Sequence, residues 1–145
     1  MKAVLALLVL LIVAFLGYVR LAPSDPARWN VDPVTANDPG PGGVRFAPGT
    51  MAYAMPAAEL MQKINDIALS EPRTTLLAGS VAALQATYVA RTRWIGFPDY
   101  ITIRAIPAGD GATLAILSRL RFGGSDLGMN RARLGRWLQA LDAVQ

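Results

Sequence analysis

An uncharged apolar run over residues 3–19, free of proline, constrains this chain more than any other feature. As an α-helix the run would span about 26 Å, close to the thickness of a bilayer's hydrocarbon core. It is apolar on every side, whereas a helix on the surface of a soluble domain is amphipathic. We therefore predict that residues 1–20 form a transmembrane anchor, with Tyr18 and Arg20 at the far interface.

A cleaved signal peptide is the alternative interpretation of the same run. The apolar region of a signal peptide is usually about 7–15 residues long, which is shorter than this one. The best small-x-small cleavage site is Ala22-Pro23-Ser24, and Arg20 lies awkwardly close to it. A short N-terminal tail ahead of a long downstream domain usually stays in the cytoplasm. We expect a single-pass protein of a bacterial inner membrane, with its soluble domain in the periplasm.

After the anchor the chain has room for one domain with a real hydrophobic core. Prolines and glycines crowd the first part of this region, so few regular elements are expected there. The same part contains Trp29, Phe46 and Tyr53, whereas a flexible linker would be poor in aromatic residues. We predict an irregular arm over residues 21–55 that packs on a soluble domain, residues 56–145, with Trp29 as the anchor of the arm.

Hydrophobic periodicity predicts a helix followed by several strands. Residues 56–69 carry apolar side chains at helical spacing, namely Leu60, Met61, Ile64, Ile67 and Ala68. Alternation and turn signals predict the strands, which cover residues 74–77, 84–93, 100–106 and 113–122. Gly109-Asp110-Gly111 is a strong hairpin turn between the last two strands.

A final helix is predicted after the break at residues 123–126, where Ser125 or Asp126 can cap its first turn. One face of this helix is formed by Leu127, Asn130, Leu134, Trp137, Leu138 and Leu141, and the solvated face by Arg131, Arg133 and Arg136. The order of helix, antiparallel strands and helix predicts an α+β fold. We expect a two-layer sandwich with both helices on one face of the sheet.

Three strings carry a resemblance to a known family: residues 22–29 (APSDPARW), 91–99 (RTRWIGFPD) and 118–133 (SRLRFGGSDLGMNRAR). The chain resembles the family catalogued as domain of unknown function 1499, over nearly its whole length after the anchor. The resemblance implies a small envelope or plastid protein, frequently with an N-terminal hydrophobic segment, and it implies no catalytic residues. Asn30 and Thr92 depart from the family, whose members tend to have histidine and serine there.

Two absences exclude several kinds of site. The chain has no cysteine and no histidine, which excludes thiolate metal sites, thiol catalysis and every Ser-His-Asp arrangement. Its ten acidic residues form no cluster, so we expect no metal and no cofactor. Nucleic acid is a poor partner, because the net charge is only +4 and no lysine-rich tract is present.

Arginine is the clearest chemical signal in the chain. Arg91 and Arg93 lie two residues apart on a predicted strand, as do Arg119 and Arg121, so each pair shares a face. If the two strands are neighbours, four guanidinium groups can converge, with Ser118 beside them. Such a site would bind an anion: a lipid headgroup, a phosphate ester or an acidic segment of a partner.

The alternative for these arginines is a structural network. In this network three aspartates, Asp25, Asp99 and Asp126, would pair with Arg28, Arg93, Arg119 or Arg131. The pairs would hold the arm, the 96–99 turn and the last helix together. Trp29 and Asn130 would be further members of the network. Arginine–carboxylate pairs commonly fix loops without any chemical role. Trp94 is expected in the core, and a position at a membrane surface or over a pocket is its alternative.

These observations favour a noncatalytic, membrane-anchored envelope protein that binds a protein partner or an anionic lipid. One alternative is an accessory subunit of a larger membrane complex, in which the anchor helix packs on other helices. Another is a small hydrolase or lyase that uses Asp99 or Asp126 beside Ser118 and an arginine. No acid–base pair in the sequence has a diagnostic spacing, so whether the protein is an enzyme stays open.

Overall fold

The computed structural model describes residues 1–144. Six antiparallel strands form one sheet, in the order β1-β6-β5-β4-β3, and β2 also pairs with β6. The strands are β1 (Val44–Phe46), β2 (Ala52–Tyr53), β3 (Thr74–Ser80), β4 (Gln85–Arg91), β5 (Pro98–Ala108) and β6 (Gly111–Leu120). Since β3 to β6 are neighbours in chain order, short turns connect them into a meander, and the predicted α+β class is confirmed.

Four helices accompany the sheet: α1 (Lys2–Leu21), α2 (Pro26–Trp29), α3 (Ala57–Ser70) and α4 (Met129–Asp142). The apolar stripe of α3 and one side of α4 pack on the same face of the sheet, as predicted. The core between them contains Leu60, Ile64, Tyr88, Ile101, Ile103, Ile116, Leu134 and Trp137. Alternation explains this face, because every second residue of β4, β5 and β6 points toward the helices.

The opposite face of the sheet is covered by the part of the arm that contains α2. Trp29 stacks on Tyr100 with ring centroids 3.7 Å apart and an interplanar angle of 8°. This part of the chain is less irregular than predicted, because it contains α2, β1 and β2. Strands of two or three residues are too short to show a period in the sequence, and β1 and β2 form only by pairing with β6.

The predicted strand over residues 84–93 is shorter in the structure and ends at Arg91. Thr92 stops it: its backbone N–H donates to Phe97 O (3.0 Å), and its hydroxyl accepts from the N–H groups of Gly96 (3.1 Å) and Phe97 (2.9 Å). A closed loop over residues 92–97, here called the 92–97 loop, therefore projects from the end of the sheet.

Candidate functional site

The C-terminal end of α1 is bound to the 92–97 loop. Arg20 donates from Nη2 to Trp94 O (2.7 Å) and from Nε to Ile95 O (3.1 Å). Gly96 makes this close approach possible, because its φ is +86° and a Cβ there would lie 3.1 Å from Cγ of Arg20. The loop and the helix end therefore hold a fixed position relative to each other.

Aromatic side chains strengthen the same junction. Phe15 contacts Phe97 edge-on with centroids 6.3 Å apart, and Tyr18 contacts Phe122 in the same way at 5.9 Å. Phe97 and Phe122 are themselves 5.9 Å apart. These contacts join α1 to the residues just before β5 and just after β6, at the open end of the β5–β6 hairpin. The direction in which α1 leaves the domain is therefore defined.

A mostly apolar cavity of about 560 Å³, here called the apolar cavity, opens beside this junction. Its lining residues come from the 92–97 loop, the end of β6 and the turn before α4: Thr92, Arg93, Trp94, Ile95, Phe97, Asp99, Leu120, Phe122, Gly123, Ser125, Asp126, Leu127 and Met129. Several apolar side chains at this cavity are exposed, which is unusual for such large groups in one place.

Trp94 and Leu127 are the clearest cases, and the prediction that Trp94 lies in the core was wrong. Trp94 is 77% exposed and Leu127 is 93% exposed. Trp94 faces outward because Arg20 holds the backbone carbonyls of its loop, and the Arg93 guanidinium lies 4.9 Å from the Trp94 ring centroid. Leu127 faces outward because it precedes α4 in a turn with φ 55°.

Asp99 is a buried acid among the lining residues of the apolar cavity. It is 3% exposed, and its Oδ2 lies 3.4 Å from Nη1 of Arg133, which also donates to Asn130 Oδ1 at 2.7 Å. Burial raises the pKa of Asp99 above its usual value, while the charge of Arg133 opposes this shift. Arg133 was predicted on the solvated face of the last helix, and this was wrong: the pair with Asp99 holds it in the interior.

A second, smaller cavity of about 190 Å³, here called the basic cleft, lies between the α3–β3 turn, the end of β4 and α4. Its lining residues are Glu71, Pro72, Arg73, Arg91, Thr92, Arg93, Met129, Ala132, Arg133 and Arg136. Thr92, Arg93 and Met129 line both cavities, so the two share a wall. Five arginines and one glutamate give the basic cleft a strong positive charge.

The predicted anion site of four arginines and Ser118 is not assembled. β5 lies between β4 and β6, so the two arginine-bearing strands are not neighbours. Arg93 lies beyond the end of β4 and is exposed. Ser118 is buried on the helix-bearing face, opposite to Arg119, and its Oγ has no hydrogen-bond partner in the described chain.

The other three arginines bind backbone carbonyls instead of an external anion. Arg119 donates to Trp29 O (2.7 Å) and lies over the Trp29 ring. Arg121 donates to Pro23 O (2.9 Å), and Arg91 donates to Gly96 O (3.0 Å). Weaker contacts reach further back, from Arg121 to Ala22 O and from Arg91 to Val19 O, both at 3.4 Å. Their role is to hold the end of α1 and the arm.

The predicted pairs of the structural network do not form either. Asp25 caps α2 by accepting from Ala27 N (2.9 Å), and Arg28 lies over the Trp29 ring. Asp126 caps α4 by accepting from the N–H groups of Gly128 and Asn130, and Arg131 is exposed. Within residues 1–144 the arginine–carboxylate pairs are Arg104–Asp32, Arg133–Asp99 and Arg136–Glu71.

Two further predictions concern metals and catalysis. Within residues 1–144 no group of three or more histidine, cysteine, aspartate or glutamate side chains is placed to hold a metal ion. Asp99 pairs with Arg133, and among the described residues Ser118 Oγ has no hydrogen-bond partner. What the structure brings together is an apolar cavity, a basic cleft and the end of an apolar helix.

One helix, Lys2–Leu21, is long and apolar enough to cross a membrane; a signal sequence near an N-terminus has the same features. A family model described as "Protein of unknown function (DUF1499)" matches residues 23–141. No curated protein matches the chain.

Proposed function

The chain belongs to the DUF1499 family, whose function is unknown, and we propose from its geometry that it is a membrane-anchored lipid-binding protein. In this proposal α1 spans the inner membrane and the domain rests on the periplasmic surface of the bilayer. The apolar cavity then takes up the hydrocarbon part of a lipid. The observation that carries the proposal is the pair of hydrogen bonds from Arg20 to the 92–97 loop, because they place the rim of the cavity at the end of α1.

Retention of α1 is the first step of the argument. An 18-residue stretch of the helix has a mean hydropathy of 2.7, and only 6% of that stretch is buried in the protein, which suits a helix that spans a bilayer. Cleavage at Ala22-Pro23-Ser24 would remove Val19 and Ala22, whose carbonyls accept from Arg91 and Arg121. A domain that uses the end of α1 as a structural partner favours an anchor over a cleaved signal peptide.

The position of Trp94 is the second step. Tryptophan and tyrosine concentrate at membrane–water interfaces, where the ring is in contact with hydrocarbon and its polar edge with water. Arg20 marks the end of the apolar helix, and it binds the carbonyls of Trp94 and Ile95 directly. The exposed side chains of the 92–97 loop therefore lie at the depth of the lipid headgroups.

The apolar cavity is the third step. Its volume of about 560 Å³ falls within the range of about 300–1,000 Å³ that is typical of small-ligand sites. Leu120, Phe97 and Phe122 supply apolar wall, and the cavity opens beside the helix that crosses the membrane. Phe97 and Phe122 also contact α1, so the wall of the cavity adjoins the helix, and the hydrocarbon chain of a lipid is its best-matched occupant.

Depth-dependent fluorescence quenching tests the docking of the domain. Full-length protein is placed in lipid nanodiscs that carry a quencher either near the headgroups or deep in the acyl chains. Trp29 and Trp137 are buried, so quenching by the shallow label reports mainly on Trp94. The variant Trp94→Phe is the control and should lose that quenching while it keeps the emission of the two buried rings.

Two outcomes decide this proposal. Strong quenching of Trp94 by the shallow label, together with a lipid that remains bound to the full-length protein in native mass spectrometry, supports it. If Trp94 is quenched by aqueous iodide and not by either lipid label, the domain stands away from the bilayer and the proposal fails. Recovery of the mature protein without residues 1–21 would also overturn it.

A further inference from the structure

We propose that the basic cleft binds the phosphate group of an anionic phospholipid whose hydrocarbon chain lies in the apolar cavity. This inference rests on the proposed function and deepens it, because it names the class of lipid. It differs from the four-arginine site that the sequence suggested, since only Arg91 and Arg93 belong to both.

The shared wall of the two cavities is the first reason. Thr92, Arg93 and Met129 line both the apolar cavity and the basic cleft. An amphiphile that bridges this wall would have its chain against apolar side chains and its headgroup against arginines. A ligand that is wholly apolar or wholly charged would fill only one of the two spaces.

The charges of the cleft are the second reason. Arg136 pairs with Glu71 (2.6 Å), and Arg133 pairs with Asp99 (3.4 Å), so these two guanidinium groups are balanced. Arg73, Arg91 and Arg93 form no ion pair in the part of the chain that the structure describes. Arg91 is occupied by the carbonyls of Gly96 and Val19, which leaves Arg73 and Arg93 for a ligand. Two uncompensated guanidinium groups can share the oxygens of one phosphate through charge-assisted hydrogen bonds.

The backbone at Arg73 is the third reason. Arg73 has a φ of 61°, a left-handed conformation that is uncommon for residues other than glycine. Pro72 precedes it, and the carbonyl of Arg73 accepts from Arg91 N at 3.0 Å, which fixes the turn between α3 and β3. Nε of Arg73 donates to Arg91 O at 3.4 Å, which holds the Arg73 side chain at the cleft beside the end of β4.

A lipid titration tests the proposal with full-length protein in a non-ionic detergent. The probes are phosphatidylglycerol, diacylglycerol with the same chains, and inorganic phosphate. Bound lipid is counted by native mass spectrometry, and Trp94 emission gives an independent titration curve. The test variant is Arg73→Gln with Arg93→Gln, and the matched control is Arg131→Gln, an exposed arginine of α4 that lines neither cavity.

We expect the wild-type protein to bind phosphatidylglycerol about tenfold or more tightly than diacylglycerol, the factor expected for at least one charge-assisted hydrogen bond. The double variant should lose this preference and keep its affinity for diacylglycerol, while Arg131→Gln should behave as the wild type. Equal affinities for the two lipids in the wild type would overturn the inference and leave the proposed function intact.

Three other results would also overturn the inference. A preference for phosphatidylglycerol that persists in the double variant would place the headgroup elsewhere. Binding of inorganic phosphate as tight as that of phosphatidylglycerol would make the cleft a site for the free anion. If neither lipid binds, the proposed function itself fails, and the inference fails with it.

Discussion

Replacement of Trp29 by alanine tests whether the arm is part of the folded unit. Trp29 is 6% exposed, and its ring stacks on Tyr100 with centroids 3.7 Å apart. The guanidinium of Arg119 lies 4.9 Å from the same ring centroid, and Arg119 Nη2 donates to Trp29 O. The indole thus joins α2 to the face of the sheet that carries no long helix.

The expected loss of stability follows from these contacts. Truncation of a buried tryptophan to alanine usually costs about 3–5 kcal/mol of the free energy of unfolding. Of this, aromatic stacking contributes about 0.5–1.5 kcal/mol and a cation–π contact about 0.5–2 kcal/mol. The substitution would also remove the indole ring from the Arg119 guanidinium, a group whose pKa is lowered by burial. We therefore expect Trp29→Ala to destabilise the domain by about 4 kcal/mol.

Denaturant unfolding of full-length protein in detergent micelles measures this loss. Far-ultraviolet circular dichroism follows the transition, because the substitution removes one of the three tryptophans. The matched control is Trp94→Ala, whose side chain is 77% exposed, and it should change the free energy of unfolding by less than about 0.5 kcal/mol. A loss below about 1 kcal/mol for Trp29→Ala would refute the reasoning, since the arm would then contribute little to the stability of the sheet.

Three further predictions concern other parts of the fold. Burial raises the pKa of Asp99, so the native carboxyl keeps a proton that the unfolded chain releases. Between about pH 4 and the raised pKa, the contribution of Asp99 to the free energy of unfolding should fall as the pH rises. Thermal melts should show this fall in the wild type and not in Asp99→Asn. Arg121→Gln removes a donor to Pro23 O, so hydrogen exchange should quicken in residues 20–24; unchanged exchange would contradict the role given to Arg121. A Cβ on Gly111 would lie 2.1 Å from Tyr53 O, whereas one on Gly124 would meet nothing within 4 Å. Gly111→Ala should therefore lower the melting temperature and Gly124→Ala should not, and equal melting temperatures would refute the close packing of β2.

The strength of a local period decides how much of this fold the sequence could predict. The apolar stripe of α3 and the alternation of β4 to β6 each repeat over several residues, so their faces could be assigned without a structure. β1 and β2 have too few residues to show an alternation of apolar and polar side chains. Their formation depends on the length of β6, which offers both of them a partner.

The candidate site was harder to predict because it depends on partners distant in sequence. Alternation shows that Arg119 and Arg121 share a face, but it cannot show that their acceptors are carbonyls of Trp29 and Pro23. Arg133 looked solvated from its helical position, and only the strand order brings Asp99 to it. Arg73 gave a usable signal that was missed, since it follows a proline at the end of a helix, where a sharp turn is expected.

Three arginines, Arg91, Arg119 and Arg121, are better explained by the end of α1 and the arm than by an external anion. The last turn of a helix has carbonyl groups without intrahelical donors, and together they carry a partial negative charge. Arg91 and Arg121 reach the carbonyls of Val19 and Ala22, while Arg20 donates in the other direction to the 92–97 loop. A helix end held from both sides cannot swing freely, so the direction in which α1 leaves the domain is fixed relative to the 92–97 loop. In the proposed lipid-binding role this rigid joint is a precondition, because it fixes Trp94, the apolar cavity and the charge of Arg93 relative to α1.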